Sequence, residues 1–140
     1  MSFDVLEDVN YLAAAVATIA WFVIGALWYA PPVLGKLWMR SSGIEMQEGF
    51  RPNPMVFVGS LVAYLVASIA MAMLAKATGS DSLSEGFVLG IVTGVGFAVT
   101  LTAVGALYDR KPQPGVWFTI TGLYNLIGFV VAGVIVSAWD

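Results

Sequence analysis

The sequence contains no cysteine and no histidine. That double absence excludes disulfides, thiol nucleophiles, imidazole acid–base chemistry and most transition-metal sites, leaving carboxylate, hydroxyl and amide groups. Charge is scarce as well: six Lys and Arg with nine Asp and Glu make 11% of the 140 residues, against roughly 25% in ordinary soluble domains. So few basic residues, at a net charge of −3, exclude an extended nucleic-acid-binding face, and no nucleic-acid partner is expected. What fills the gap is apolar. With 59% of residues hydrophobic, most of the surface must face lipid rather than water.

Four runs lack any Asp, Glu, Lys or Arg: 11–30, 55–75, 87–107 and 116–139. Each is long enough to cross a hydrocarbon core of about 30 Å, which takes about 20 helical residues. Lipid demands helices here, because backbone groups must bond within their own segment and four strands could not close a barrel. The expected fold is all-α, an integral membrane four-helix bundle forming one domain over 1–140, with a short cytoplasmic interfacial helix after the first span. Local punctuation agrees. Asn53-Pro54 supplies a cap and a first-turn proline, Ser82 to Glu85 has capping-box spacing, and Pro112 and Pro114 precede the last span. The short connections make sequential helices antiparallel neighbours.

Basic residues set the expected orientation. Lys36, Arg40 and Arg51 lie between spans one and two, and Arg110 and Lys111 between three and four, whereas only Lys76 lies at the other end. The positive-inside rule then places the first and third connections in the cytoplasm and both termini outside the plasma membrane. Residues 1–10 carry Asp4, Glu7 and Asp8 with no Lys or Arg, unlike a secretory signal, so the first span reads as a retained anchor.

The stretch LWYAPPVLGKLW, residues 27–38, is the most distinctive. Pro31 and Pro32 stop the first helix where Trp28 and Tyr29 suit a membrane interface. Beyond them Val33, Leu34, Leu37 and Trp38 share a helical face from which Lys36 and Arg40 are excluded. At about ten residues, 32–41, this is an interfacial helix with its Trp38 face in the headgroups and its cations near anionic lipid, ended by Gly43; the alternative is a lid on the bundle mouth. Trp28-Tyr29-x-Pro31 followed by Gly35-Lys36-x-Trp38 resembles the four-helix membrane family catalogued as domain of unknown function 1761. Similarity in pattern runs through nearly the whole chain. The resemblance implies architecture only, since that family has no established activity; where its members often carry a histidine after a tyrosine early in the last helix, this chain reads Tyr124-Asn125.

Span three carries small residues at every fourth position: Gly86, Gly90, Gly94, Ala98, Thr102, Ala106. Such a row lets helix backbones approach closely in lipid, but it drifts about 40° per step on a straight helix. The outer, Gly86 half is therefore expected to meet one helix and the inner half another. Gly122 and Gly128 supply a small face on the last span. Gly25-Ala26-Leu27-Trp28 is echoed by Gly105-Ala106-Leu107-Tyr108, as a tandem repeat of hairpins would produce. Near the centres of the spans, Trp21, Tyr64 and Asn125, joined by Thr93 and Thr100, carry polar groups that lipid cannot satisfy. They are either interhelical glue or the lining of a pathway.

The leading expectation is a non-enzymatic bundle, with no catalytic residue, metal or cofactor, acting through assembly as a homo-oligomer or membrane-complex subunit. The alternative is a small channel or transporter for a neutral solute or simple ion. A wet cavity reaching Asn125 favours the second and a dry centre the first.

Overall fold

The computed structural model describes residues 2–45 and 51–139. Among these the chain is helical, without strands. A 3₁₀ turn at Phe3–Asp8 leads into α1 (Tyr11–Trp28), and a π turn at Pro31–Gly35 into the short α2 (Lys36–Ser42). Then come α3 (Pro54–Thr78), α4 (Leu83–Thr93), a second π turn at Gly94–Val99, α5 (Thr100–Tyr108) and α6 (Pro114–Ala138). Four helical spans, counting α4 through α5 as one, are long and apolar enough to cross a membrane. The chain is an integral membrane protein with an all-α bundle fold.

Local chemistry sets the ends. Asn10 caps α1, its Oδ1 accepting from the Ala13 N–H, while its Nδ2 donates to the Trp139 carbonyl at 2.8 Å and ties the two termini together. Asn53 caps α3 ahead of Pro54, and Ser82 and Glu85 form a reciprocal box at the start of α4, with Ser82 Oγ donating to Glu85 Oε2 at 2.9 Å. Helices α2 and α3 both stop at a left-handed glycine, Gly43 at φ 78° and Gly79 at φ 69°, a conformation a Cβ would penalise.

Adjacent spans alternate in direction, yet short connections do not make all of them neighbours. Helix α6 is the hub: it packs on α1, α3, α4, α5 and α2, whereas α3 and α4 make little contact with each other. Of the most apolar stretch of α6, 39% is buried, against 17% for α3. Small residues explain the position, since Gly128, Ala132, Gly133 and Ser137 are all buried on α6 and let it lie between the α1–α3 pair and the α4–α5 span.

The row on span three does not divide between two partners as a straight helix would require. Gly86, Gly90, Gly94 and Thr102 all face α6. The π turn at Gly94–Val99 is the reason: it takes one residue more per turn, so everything beyond it rotates back by about one residue's worth, 100°. That removes a large part of the drift. Threonine hydroxyls hold carbonyls of the widened turn, Thr100 bonding to Gly96 O (2.8 Å) and Phe97 O (3.0 Å) and Thr102 to Ala98 O (2.7 Å). The hairpin echo does not extend to environment: Trp28 is half-buried and hydrogen-bonded, whereas Tyr108 is 83% exposed.

Candidate functional site

The centre of the bundle is built on the two faces of α6. On the first, Trp21 of α1 is 2% exposed and stacks on Tyr64 of α3, with ring centroids 5.0 Å apart and planes 9° from parallel. Phe129 meets the same indole edge-on at 5.0 Å. A Cβ at Gly128 would fall within the indole, so glycine is what admits Trp21 to the hub. Tyr124, 3% exposed, donates its hydroxyl to the Trp21 carbonyl at 3.2 Å and packs edge-on against Tyr29 (5.1 Å) and Tyr64 (6.2 Å). Its hydroxyl lies where a Cβ on Gly25 would be.

The second face is polar at one level and backbone-to-backbone at the next. Asn125 Nδ2 donates to Thr102 Oγ1 at 3.3 Å. Consecutive residues on a helix point about 100° apart, so Tyr124 and Asn125 serve different partners. Trp21 and Tyr64 are on the Tyr124 side. Farther along, Gly94 sits against Leu126 and Phe129, Gly90 against the backbone of Val130, and Gly86 against the backbone of Gly133.

The polar residues anticipated at the centre therefore do not form one constellation. Thr93 is buried, bonded to Leu89 O at 2.8 Å and contacting Met71 Sδ at 3.4 Å. Thr100 is exposed on the outer side of span three, where it serves the π turn instead of the core. Three buried polar atoms have no hydrogen-bond partner among the described residues: Trp21 Nε1, Ser68 Oγ and Ser137 Oγ. Of the packing glycines, Gly122 is buried, but a Cβ there would meet only Phe118 of its own helix, so it marks no close approach of another span. Gly25 and Gly133 take close contacts that sequence reasoning did not assign; Gly133 lies four residues before Ser137, a small-residue spacing that could have flagged it. Tyr124 was also missed as a core residue, though a phenol in mid-span must find an acceptor.

At the basic end Trp28, Tyr29 and Trp38, expected at the membrane interface, are each half-buried and also packed on the protein. Trp28 Nε1 donates to the Ile120 carbonyl and Trp38 Nε1 to Thr121 Oγ1, each at 3.1 Å. Tyr29 stands edge-on to Trp38 at 5.3 Å. Helix α2 packs on α6 as a lid: an indole N–H gains a protein acceptor by turning toward α6, and Ser41 on the inner side of α2 is fully buried, its carbonyl accepting from the Gln113 N–H at 3.3 Å. Lys36 and Arg40 remain exposed. Lys111 lies over the Trp117 ring, 4.2 Å from its centroid, and 3.3 Å from Asp109.

Two open grooves flank this core. One, of about 410 Å³, lies between the facing ends of α3 and α4 along Ser84, Val88 and Val92. The other, of about 450 Å³, runs between α2 and the first half of α6. Neither is lined by Trp21, Tyr64, Tyr124 or Asn125.

No curated protein and no solved structure matches the chain. The profile of one family, described as protein of unknown function (DUF1761), matches residues 12–137. That stretch holds all but the end residues Tyr11 and Ala138 of the four spans, and the chain belongs to the DUF1761 family.

Proposed function

We propose that this membrane protein acts through assembly, as a homo-oligomer or an accessory subunit of a membrane complex, and neither catalyses a reaction nor conducts a solute. The observation that carries the reading is the closed centre. Trp21 stacked on Tyr64 and seated on Gly128, with Tyr124 bonded across to α1, fills the level where a pathway would need space. Asn125 spends its amide on Thr102. Ionisable side chains of the kind that mark proton or ion routes are absent from the spans' interiors. One surface open to a partner is the first half of α3, where Met55 to Gly59 are all exposed and Gly59 has open space around its Cα.

The reading includes a plasma-membrane location with both termini outside, supported by five basic residues at the α2 end against Lys76 at the other. Because the chain lacks cysteine, single reporters are clean: Gln113→Cys should resist an impermeant thiol reagent on intact cells and Ser84→Cys should react.

Native mass spectrometry of the detergent-extracted protein tests assembly. Two or more copies, or a stoichiometric partner protein, are expected, and Gly59→Leu should release a folded monomer. A wild-type monomer without partner, together with solute flux in reconstituted vesicles that Asn125→Asp alters, would overturn the reading in favour of a pathway.

A further inference from the structure

The groove between the lid and α6 has the features of a lipid site. Its α6 wall is a single stripe, Val116, Thr119, Ile120 and Leu123, at the i, i+3, i+4, i+7 spacing of one helix face. Leu34 and Leu37 of the lid segment form the opposite wall, with Trp28 beside them. From Gly115 to Leu123 the groove follows α6 for about 12 Å, from its start toward the centre of the membrane. Its polar atoms are already satisfied. Thr119 Oγ1 donates to Gly115 O at 2.9 Å, and the Trp28 N–H is spent on Ile120 O. An occupant finds no hydrogen-bonding side chain along this length, so its buried part must be hydrocarbon.

The mouth is different. Lys36 and Arg40 sit one turn apart on α2, the helix whose Leu37 forms the wall, and both are exposed. Neither is in an ion pair among the described residues. Arg110 and Lys111 lie at the same end of the bundle, just before α6. Lys36 and Arg40, on the flank of α2 beside its Leu34 and Leu37 face, put positive charge at the end of the bundle where this apolar groove begins, which complements a ligand with a negative head and a hydrocarbon tail.

We propose that this groove is a binding site for an anionic glycerophospholipid, one acyl chain lying between α2 and α6 and the phosphate meeting Lys36 and Arg40. The site is independent of the assembly role, because every element that builds it belongs to one copy of the chain. The lid reading of α2 gives it a purpose: by turning Trp38 inward onto Thr121, the chain leaves Leu34 and Leu37 to form a wall.

The experiment uses the full chain reconstituted in bilayers of equal parts phosphatidylcholine and phosphatidylglycerol, with retained lipid identified by native mass spectrometry. Wild type should retain one phosphatidylglycerol per chain, and inorganic phosphate in the buffer should not displace it. Gly115→Trp fills the groove from a position where an added Cβ meets nothing within 4 Å; it should abolish retention without changing the melting temperature. Lys36→Gln with Arg40→Gln should leave the groove occupied but lower the preference for phosphatidylglycerol by about thirtyfold, the factor expected for two cations at a membrane surface. Equal retention of the two lipids by wild type, displacement by phosphate alone, or undiminished retention in Gly115→Trp would each overturn the proposal. Copy number is read from the same spectra, so a monomer that still holds its lipid separates failure of the assembly reading from failure of this one.

Discussion

The two sides of α6 solve the same problem by opposite means. Toward α1 and α3 the contact is made by rings: Trp21 on Tyr64, Tyr124 across to the α1 backbone, and one glycine, Gly128, hollowed out for the indole. Toward α4 the contact is made by what is missing, with Gly86 and Gly90 lying on the backbone of Gly133 and Val130. In lipid, apolar side chains gain nothing by leaving the solvent for one another, so helices associate through close van der Waals contact and a few hydrogen bonds. The ring side keeps helices apart and fills the gap, and it tolerates adjustment because side chains rotate. The glycine side has only backbone to move.

That difference orders the consequences of substitution. Gly90→Leu should be the most damaging change in the spans, because the new side chain meets the Val130 backbone, which cannot yield without separating α4 from α6. A loss above about 3 kcal/mol, or no folded protein in detergent, is expected, at or beyond the upper end of overpacking effects. Gly128→Ala strikes the ring side, where the atoms nearest the new Cβ are those of the Trp21 indole, a side chain that can be displaced. Its cost should fall within about 1–3 kcal/mol, accompanied by a shift in tryptophan fluorescence. Equal losses in the two variants would erase the distinction.

Single hydrogen bonds come next. Tyr124→Phe removes a bond to Trp21 O and Asn125→Leu one to Thr102, whose hydroxyl keeps its bond to Ala98 O. Each should cost about 1 kcal/mol or less in unfolding measurements, the usual size of interhelical hydrogen bonds in membranes. A much larger loss in Asn125→Leu would mean that Asn125 does more than join two helices. Smallest of all is Gly59→Ala, on the outer face of α3 with nothing within 4 Å. It should stabilise the isolated chain by about 0.4–1 kcal/mol by restricting the unfolded backbone.

Much of this architecture is legible in the sequence. Charge-free runs fix the spans because lipid leaves so few alternatives, and Asn53-Pro54, Ser82 with Glu85, and Gly43 mark helix ends by chemistry that acts within a few residues. The Gly86-Gly90-Gly94 row likewise announces a close approach. What the sequence hides is set at long range. The apolar face of 33–38 suits either lipid or the bundle mouth, and the choice depends on Thr121, 83 residues from Trp38. The π turn is a slip of hydrogen bonding with no obligatory residue, so TGVGFAVTLT, residues 93–102, reads as plain helix apart from its glycines and the threonines that hold its carbonyls. Without that slip Thr102 points away from α6 and Asn125 has no evident partner, which is why the central polar residues read as one cluster instead of two.

The account turns on α6 as a hub whose reach along span three is maintained by the π turn, and Thr102→Cys combined with Asn125→Cys tests this most directly. In a chain with no other thiol, a short bifunctional thiol cross-linker should join the two positions within one molecule in the membrane, tethering α5 to α6 in a protease-nicked chain. The pair Thr100→Cys with Asn125→Cys, two residues away on the exposed side, should remain unlinked. Linkage through position 100 in place of 102, or linkage only between chains, would contradict the account.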